Sequence, residues 1–204
     1  MFSAMNDVAV EVERVLAGIR AAEAAGLHPI KINMVVKRGV NDGEILPMVR
    51  HFRGSGHILR FIEYMDVGNT NGWRMDEVLP ASEIVHRIDK EFPLEPIEEN
   101  YRGEVANRYR FMDGSGEIGL IASVTQPFCA DCTRVRLSAD GQLYTCLFAA
   151  KGHDLRAQLR AGASDQDLRQ RISDIWTNRS DRYSEERSQG TSERQKVEMH
   201  FIGG

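Results

Sequence analysis

Residues 29–65, PIKINMVVKRGVNDGEILPMVRHFRGSGHILRFIEYM, carry the pattern on which the fold turns. Two apolar runs, Pro29 to Val36 and His57 to Met65, read as strands, the first largely buried. Between them, the stretch from Asn41 or Asp42 to about Phe52 reads as a helix whose first turn suits Glu44, with Pro47 late for a helix start. Upstream, Val8 to Ala25 has an amphipathic helical pattern (Val8, Val12, Val15, Leu16, Ile19) with Gly26 as its stop. Downstream, Ser82 caps a third helix running to about Phe92. Helices between apolar strands form parallel βαβ units, so an α/β barrel or open sheet is expected. A sheet beginning at the strand near Lys31 leaves that strand with an unpaired edge.

Around Pro93-Leu94-Glu95-Pro96 the pattern changes. Short strands are expected at Val105 to Met112, Glu117 to Ser123, Thr133 to Ser138 and Gln142 to Leu147, with Asp113-Gly114 and Asp140-Gly141 as turns. Polar helices follow near Leu155 to Leu159 and Asp165 to Trp176. The Ser-, Arg-, Glu- and Gln-rich stretch from Ser180 to Lys196 reads as mobile. Three segments are expected: 1–92, a partial α/β barrel; 93–179, a small antiparallel and helical domain; and 180–204, a flexible tail.

Composition narrows the function. With 26 Lys and Arg against 30 Asp and Glu, the formal net charge is -4, which argues against bulk electrostatic binding of nucleic acid. A small basic pocket for one anion remains compatible with that balance. No apolar run approaches the roughly 20 residues of a membrane span. The opening MFSAMNDVAVEVERV is no secretory signal, so a cytoplasmic protein without a membrane partner is expected.

The 3 cysteines all lie between Cys129 and Cys146. An odd, clustered set points to a metal or redox site in place of a disulfide framework. Cys129 and Cys132, two residues apart, can converge on one centre, with Cys146 returning after the Asp140-Gly141 turn. Three thiolates fit zinc, which usually wants a fourth protein ligand, or a 4Fe–4S cluster with one iron left open. His153 and Asp131 are the nearest zinc candidates, and neither has convincing spacing. Arg134 and Arg136 alternate along one strand, so both forks reach one face and suit phosphate or carboxylate. The plainer reading of the pair is a solubilised edge strand.

The segment Gly119 to Phe148 (GLIASVTQPFCADCTRVRLSADGQLYTCLF) closely resembles the second cluster-binding motif of the GTP 3′,8-cyclase family, radical enzymes that begin molybdenum-cofactor synthesis. Met5 to Asp7, Val35 to Asp42, Phe61 to Gly68 and the terminal Gly203-Gly204 resemble the same family in the same order. The resemblance implies the carboxy-terminal part of an incomplete radical S-adenosylmethionine barrel, followed by the small antiparallel and helical segment. It implies that Cys129, Cys132 and Cys146 hold a 4Fe–4S cluster whose open iron faces the guanine of GTP. Thr133, Arg134, Val135 and Arg136 would line that GTP site, and Lys31 would contact the phosphates, with Arg60 nearby. Met65 would contact S-adenosylmethionine, and Gly203 and Gly204 would reach back toward the active site. Lys31 as a snorkelling strand lysine and Met65 as core are the plainer readings.

The family's first 4Fe–4S cluster needs a Cys-x3-Cys-x2-Cys motif to cleave S-adenosylmethionine, and no such motif occurs here. The chain alone is therefore expected not to cyclise GTP. The implied partners are GTP, S-adenosylmethionine, a polypeptide supplying the missing half, and a second copy in a homodimer. A competing expectation from a different class is a zinc-stabilised protein-binding module without catalysis.

Overall fold

The alternation around Lys31 folds into parallel strands. In the computed structural model, which describes residues 2, 5, 10–187 and 194–202, Lys31–Val36 (β1) runs parallel to Ile58–Glu63 (β2), with Lys31 opposite Ile58 and Val36 opposite Glu63. Gly203, Gly204, Asn6 and Asp7 lie outside the described residues. Leu94–Ile97 (β3), Asn107–Phe111 (β4) and Glu117–Ile121 (β5) complete a mixed sheet in the order β1-β2-β5-β4-β3. β5 is parallel to β2, whereas β4 pairs antiparallel with both β5 and β3. The Pro-containing run at 93–96, where the sequence pattern changes, thus includes a strand. Its place at the sheet edge explains why Pro96 is tolerated there.

Among the described residues, the helices Val12–Ala24 (α1), Ile45–Phe52 (α2) and Ala81–Asp89 (α3) accompany this sheet. Asn41 does not cap α2 with its side chain. It instead accepts from Lys37 N at 2.8 Å and donates to the Val35 carbonyl at 2.8 Å, closing the turn after β1. A short 3-10 turn, Asp42–Glu44, intervenes. Pro47 sits in the first turn of α2, where a missing N–H breaks no helical bond. Ser82 is already inside α3, whose preceding residue Pro80 offers no side-chain cap. The Glu63 carboxylate takes that role and accepts from Ala81 N at 2.8 Å.

Period-2 alternation sends Met34 and Val36, Leu59 and Phe61, and Ile118 and Leu120 into one core with Ile45, Val49, Phe52, Ile84 and Ile88 of the helices. By register, the opposite face carries Lys31, Asn33 and Val35, then Ile58, Arg60 and Ile62, then Gly119 and Ile121.

Contacts divide the chain into two units. The first comprises Met1–Tyr64 and Met75–Gln126, and the second Met65–Arg74 and Pro127–Gly204. The change of pattern near Pro93 is therefore not a unit boundary, because β3 to β5 continue the first unit's sheet. In the second unit, Arg136–Leu137 (β6), Gln142–Tyr144 (β7) and His153–Asp154 (β8) form an antiparallel sheet. Arg156–Arg160 (α4) and Asp165–Thr177 (α5) follow. The start of α5 has a capping box: the Ser164 hydroxyl accepts from Asp167 N at 3.2 Å, and the Asp167 carboxylate accepts from Ser164 N at 2.9 Å.

The expectation of a flexible tail from residue 180 does not fit several of its described positions. Tyr183, Lys196 and Ile202 are buried, and the Arg187 side chain is only 3% exposed. Their polar composition reads as solvated, yet a buried carboxylate, Asp66, holds three of them from far away in sequence. No helix among the described residues is long and apolar enough to cross a membrane.

Candidate functional site

The three cysteines lie in the second unit, two on the loop before β6 and one just after β7. A turn with Cys132 N donating to the Cys129 carbonyl at 3.3 Å folds the first pair together. Antiparallel pairing of Arg136 with Tyr144 and Leu137 with Leu143 then returns the chain toward them at Cys146. All three thiols are free of disulfides and half-buried. They are close enough for the charges of Cys129 and Cys132 to act on Cys146. Among the described residues, no group of three or more His, Cys, Asp or Glu side chains is gathered to hold a metal ion. The thiols are thus electrostatic neighbours but not a single-ion cage.

Burial alternates along residues 132–137: Cys132, Arg134 and Arg136 are half-buried, and Thr133, Val135 and Leu137 are exposed. The two arginines and the Cys132 thiol therefore share a face. Arg134 directs Nε and Nη2 at Cys132 Sγ, at 3.4 and 3.3 Å, and lies 5.1 Å over the Phe128 ring. Thr133 and Val135 fall on the opposite face, in an apolar crevice with Leu143, Ile172, Ile175 and Trp176.

The thiols are tuned in opposite directions. Burial pushes Cys132 up, but the Arg134 N–H and guanidinium, helped by Arg179, overcome it and leave Cys132 below the usual thiol range. Cys146 goes up, chiefly through burial, with the charges of Asp181, Cys129 and Cys132 adding and the Phe148 N–H opposing. Arg136 is pulled below its ordinary value by burial and by Arg134, against the pull of Cys132 and Cys146. In the metal-free chain, alkylation of Cys132 should reach half-maximal rate at lower pH than that of Cys146. Replacing Arg134 with Gln should move the Cys132 profile upward and leave Cys146 in place. Coincident profiles would contradict this assignment.

Asp181, Arg179 and Arg182 were not singled out by sequence. Thr145, next to Cys146, donates its hydroxyl to Asp181 at 2.5 Å, and Arg182 senses the Cys129 charge. Their only sequence signal is an Arg-Ser-Asp-Arg run in what reads as a polar tail.

Lys31 and Arg60 lie in the first unit, and the register brings both to one sheet face. Arg60 donates Nε to Asn33 Oδ1, its cross-strand partner, at 2.9 Å. Its stem crosses Gly119, where a Cβ would stand 3.0 Å from Arg60 Cγ, so the glycine leaves the guanidinium its path. Met65 follows β2 and belongs to the second unit; its carbonyl accepts from Asn71 Nδ2 at 3.0 Å.

Fold and site together define a mixed α/β protein with a centre of thiols and arginines. Residues 57–185 match the family model described as Molybdenum Cofactor Synthesis C, and the chain belongs to that family. It is 50% identical over 228 residues to a GTP 3′,8-cyclase of Acidothermus cellulolyticus, covering 100% of this chain and 63% of that protein. A GTP 3′,8-cyclase of Xanthomonas campestris pv. campestris is 52% identical over 204 residues, with 100% of this chain and 60% of that protein covered. One from Synechococcus sp. is 48% identical over 197 residues, covering 95% and 56%. The chain thus spans less than two thirds of the length of these curated relatives.

Proposed function

We propose that this chain is the part of a GTP 3′,8-cyclase that holds the second 4Fe–4S cluster and grips GTP, within radical S-adenosylmethionine chemistry of molybdenum-cofactor synthesis. The observation that carries the reading is the set of three free thiols with an arginine fork directed at one of them. Cys129, Cys132 and Cys146 would hold the cluster, since their donor set is all cysteine sulfur and cationic side chains lie beside it. When bound, the cluster would supply an open iron as a Lewis-acid contact for the guanine base. Arg134 and Arg136 would bind the anionic part of the nucleotide by charge-assisted hydrogen bonds. Any contribution of Thr133 and Val135 would come from the main chain, because their side chains occupy the other face. Lys31 would meet phosphate, with Arg60 held ready by Asn33. Met65 is assigned to S-adenosylmethionine and the Gly203-Gly204 end to the same active site.

A zinc-stabilised module fits less well. A structural zinc wants four converging ligands, and no such group is present among the described residues. A cubane cluster takes one thiolate per iron, so its ligands stand further apart.

The radical step depends on a first cluster, and 3 cysteines cannot furnish both sites. These residues by themselves are therefore not competent for the radical step, which needs a Cys-x3-Cys-x2-Cys motif from outside them; cyclised product from the chain alone would refute this. Among the described residues β1 is an edge strand of the five-stranded sheet.

Calorimetric titration of GTP into the anaerobically reconstituted chain tests the reading. Binding should be at least tenfold tighter than to the iron-free chain. Each of Arg134→Ala and Arg136→Ala should weaken it about 10- to 100-fold, as expected for losing a hydrogen bond to a charged group worth about 1.5–3 kcal/mol. Equal affinity in all four proteins would sink the proposal.

A further inference from the structure

We propose that Asp66 is a positioning residue that fastens the carboxy-terminal segment 194–202 to the loop carrying Cys146, and thereby sets the third thiol. The fastening stands on geometry alone; its consequence for a cluster rests on the function proposed above.

Asp66 lies in the Asp66-Val67-Gly68-Asn69 turn beyond β2, with its side chain 3% exposed. Its Oδ2 accepts from the Tyr183 hydroxyl and, at 3.0 Å, from Lys196 Nζ, while Oδ1 accepts from Arg187 Nε at 3.0 Å. Lys196 also donates to the Asp66 carbonyl at 2.8 Å, and its side chain is 1% exposed. A lysine is taken out of water at this depth only when its charge and its donors are met.

The same turn reads the main chain of the segment. Asn69 Oδ1 accepts from Lys196 N at 2.9 Å, and Asn69 Nδ2 donates to the Lys196 carbonyl at 2.7 Å, so one side-chain amide mimics a strand neighbour. The Glu198 carboxylate returns to Asn69 N at 3.0 Å. It lies where a Cβ at Gly68 would stand and would have to swing aside for one, while the positive φ of Gly68, +66°, is what favours glycine there.

Several contacts carry this fastening to the third thiol. Val197 N donates to the Ala149 carbonyl at 3.0 Å. The Phe148 ring stacks on Tyr183 with centroids 4.4 Å apart, and the Arg187 guanidinium lies 5.3 Å from the same ring. Phe148 N in turn donates to Cys146 Sγ at 3.5 Å. One carboxylate thus holds three side chains, and all three residues lead to the Cys146 loop, Tyr183 and Arg187 through the Phe148 ring and Lys196 through that ring and its neighbour Val197.

The test uses the full chain with Asp66→Asn, Lys196→Met and the conservative Lys196→Arg. Two quantities are read on iron-free protein: hydrogen exchange at the Val197 amide, and alkylation of Cys146 relative to Cys129. Asp66→Asn and Lys196→Met should each speed Val197 exchange at least tenfold and Cys146 alkylation severalfold. Cys129 and the amides of β1, β2 and β5 should change less than twofold, and Lys196→Arg should restore most of the protection. Unchanged Val197 exchange overturns the fastening. Faster exchange with unchanged Cys146 reactivity overturns the positioning role. If Asp66→Asn does not fold, Lys196→Met decides, because it leaves Asp66 with Tyr183 and Arg187. Iron content of the reconstituted wild type is read alongside: a chain that takes up no iron removes the cluster reading and leaves the fastening result standing.

Discussion

Replacing Glu63 with alanine is expected to lower the unfolding free energy of the first unit by about 3–6 kcal/mol, a large part of the roughly 5–15 kcal/mol that holds a typical domain folded. Glu63 ends β2 on the core face and is fully buried. One oxygen accepts from Ala81 N at 2.8 Å and from the Thr125 hydroxyl at 2.5 Å. The other accepts from Val124 N at 2.8 Å and Thr125 N at 2.9 Å. It therefore satisfies the first N–H of α3, which Pro80 cannot cap, and also closes the turn after β5. Alanine would leave three N–H groups and a hydroxyl without this acceptor, and a cavity beside them. Glutamine keeps the shape but places an NH2 against donors, so it should lose roughly half as much. Urea unfolding followed by exchange at the β1, β2 and β5 amides measures the difference. A loss below about 1 kcal/mol for alanine would mean that water replaces the carboxylate.

Much of this arrangement was legible in the sequence where the signal is local. The apolar runs near Lys31 and His57 and the helix between them gave the parallel βαβ unit, although the first strand is not largely buried: Met34 and Val36 enter the core while Lys31, Asn33 and Val35 are exposed. The Asp140-Gly141 turn placed the hairpin, and the spacing of Cys132, Arg134 and Arg136 placed them on one face. The same alternation puts Thr133 and Val135 on the other face, a point that motif matching alone passes over. It also puts Glu63 in line with Leu59 and Phe61, so its burial was readable, though its partners were not.

Other features had no local signal. β3 was hidden because prolines argue against a strand, and only its edge position removes the objection. The pairing of Asp66 with Lys196 spans 130 residues, and a polar, Ser- and Arg-rich tail reads as solvated until that carboxylate is known to be waiting for it. Arg179, Asp181 and Arg182 near the thiols were missed for the same reason.

The largest effect expected at the site itself is the complete loss of iron when the thiols are removed. On the proposed function, the three thiols on a turn and a hairpin would serve as the ligands of a 4Fe–4S cluster with one open iron, since the chain has only 3 cysteines. Cys132, already biased toward thiolate by Arg134, should be the first to engage, whereas Cys146, held protonated by burial, gains most from the metal's charge. Loss of any one thiol would leave only two protein ligands for such a cluster, so single Cys→Ala variants should retain little iron.

The measurement that bears most directly on the account is iron and sulfide content after anaerobic reconstitution, for the wild-type chain beside a Cys129→Ala, Cys132→Ala, Cys146→Ala variant. The wild type should hold about four irons and about four sulfides per chain, and the variant should retain neither. Zinc in their place, or no metal in either protein, would contradict this.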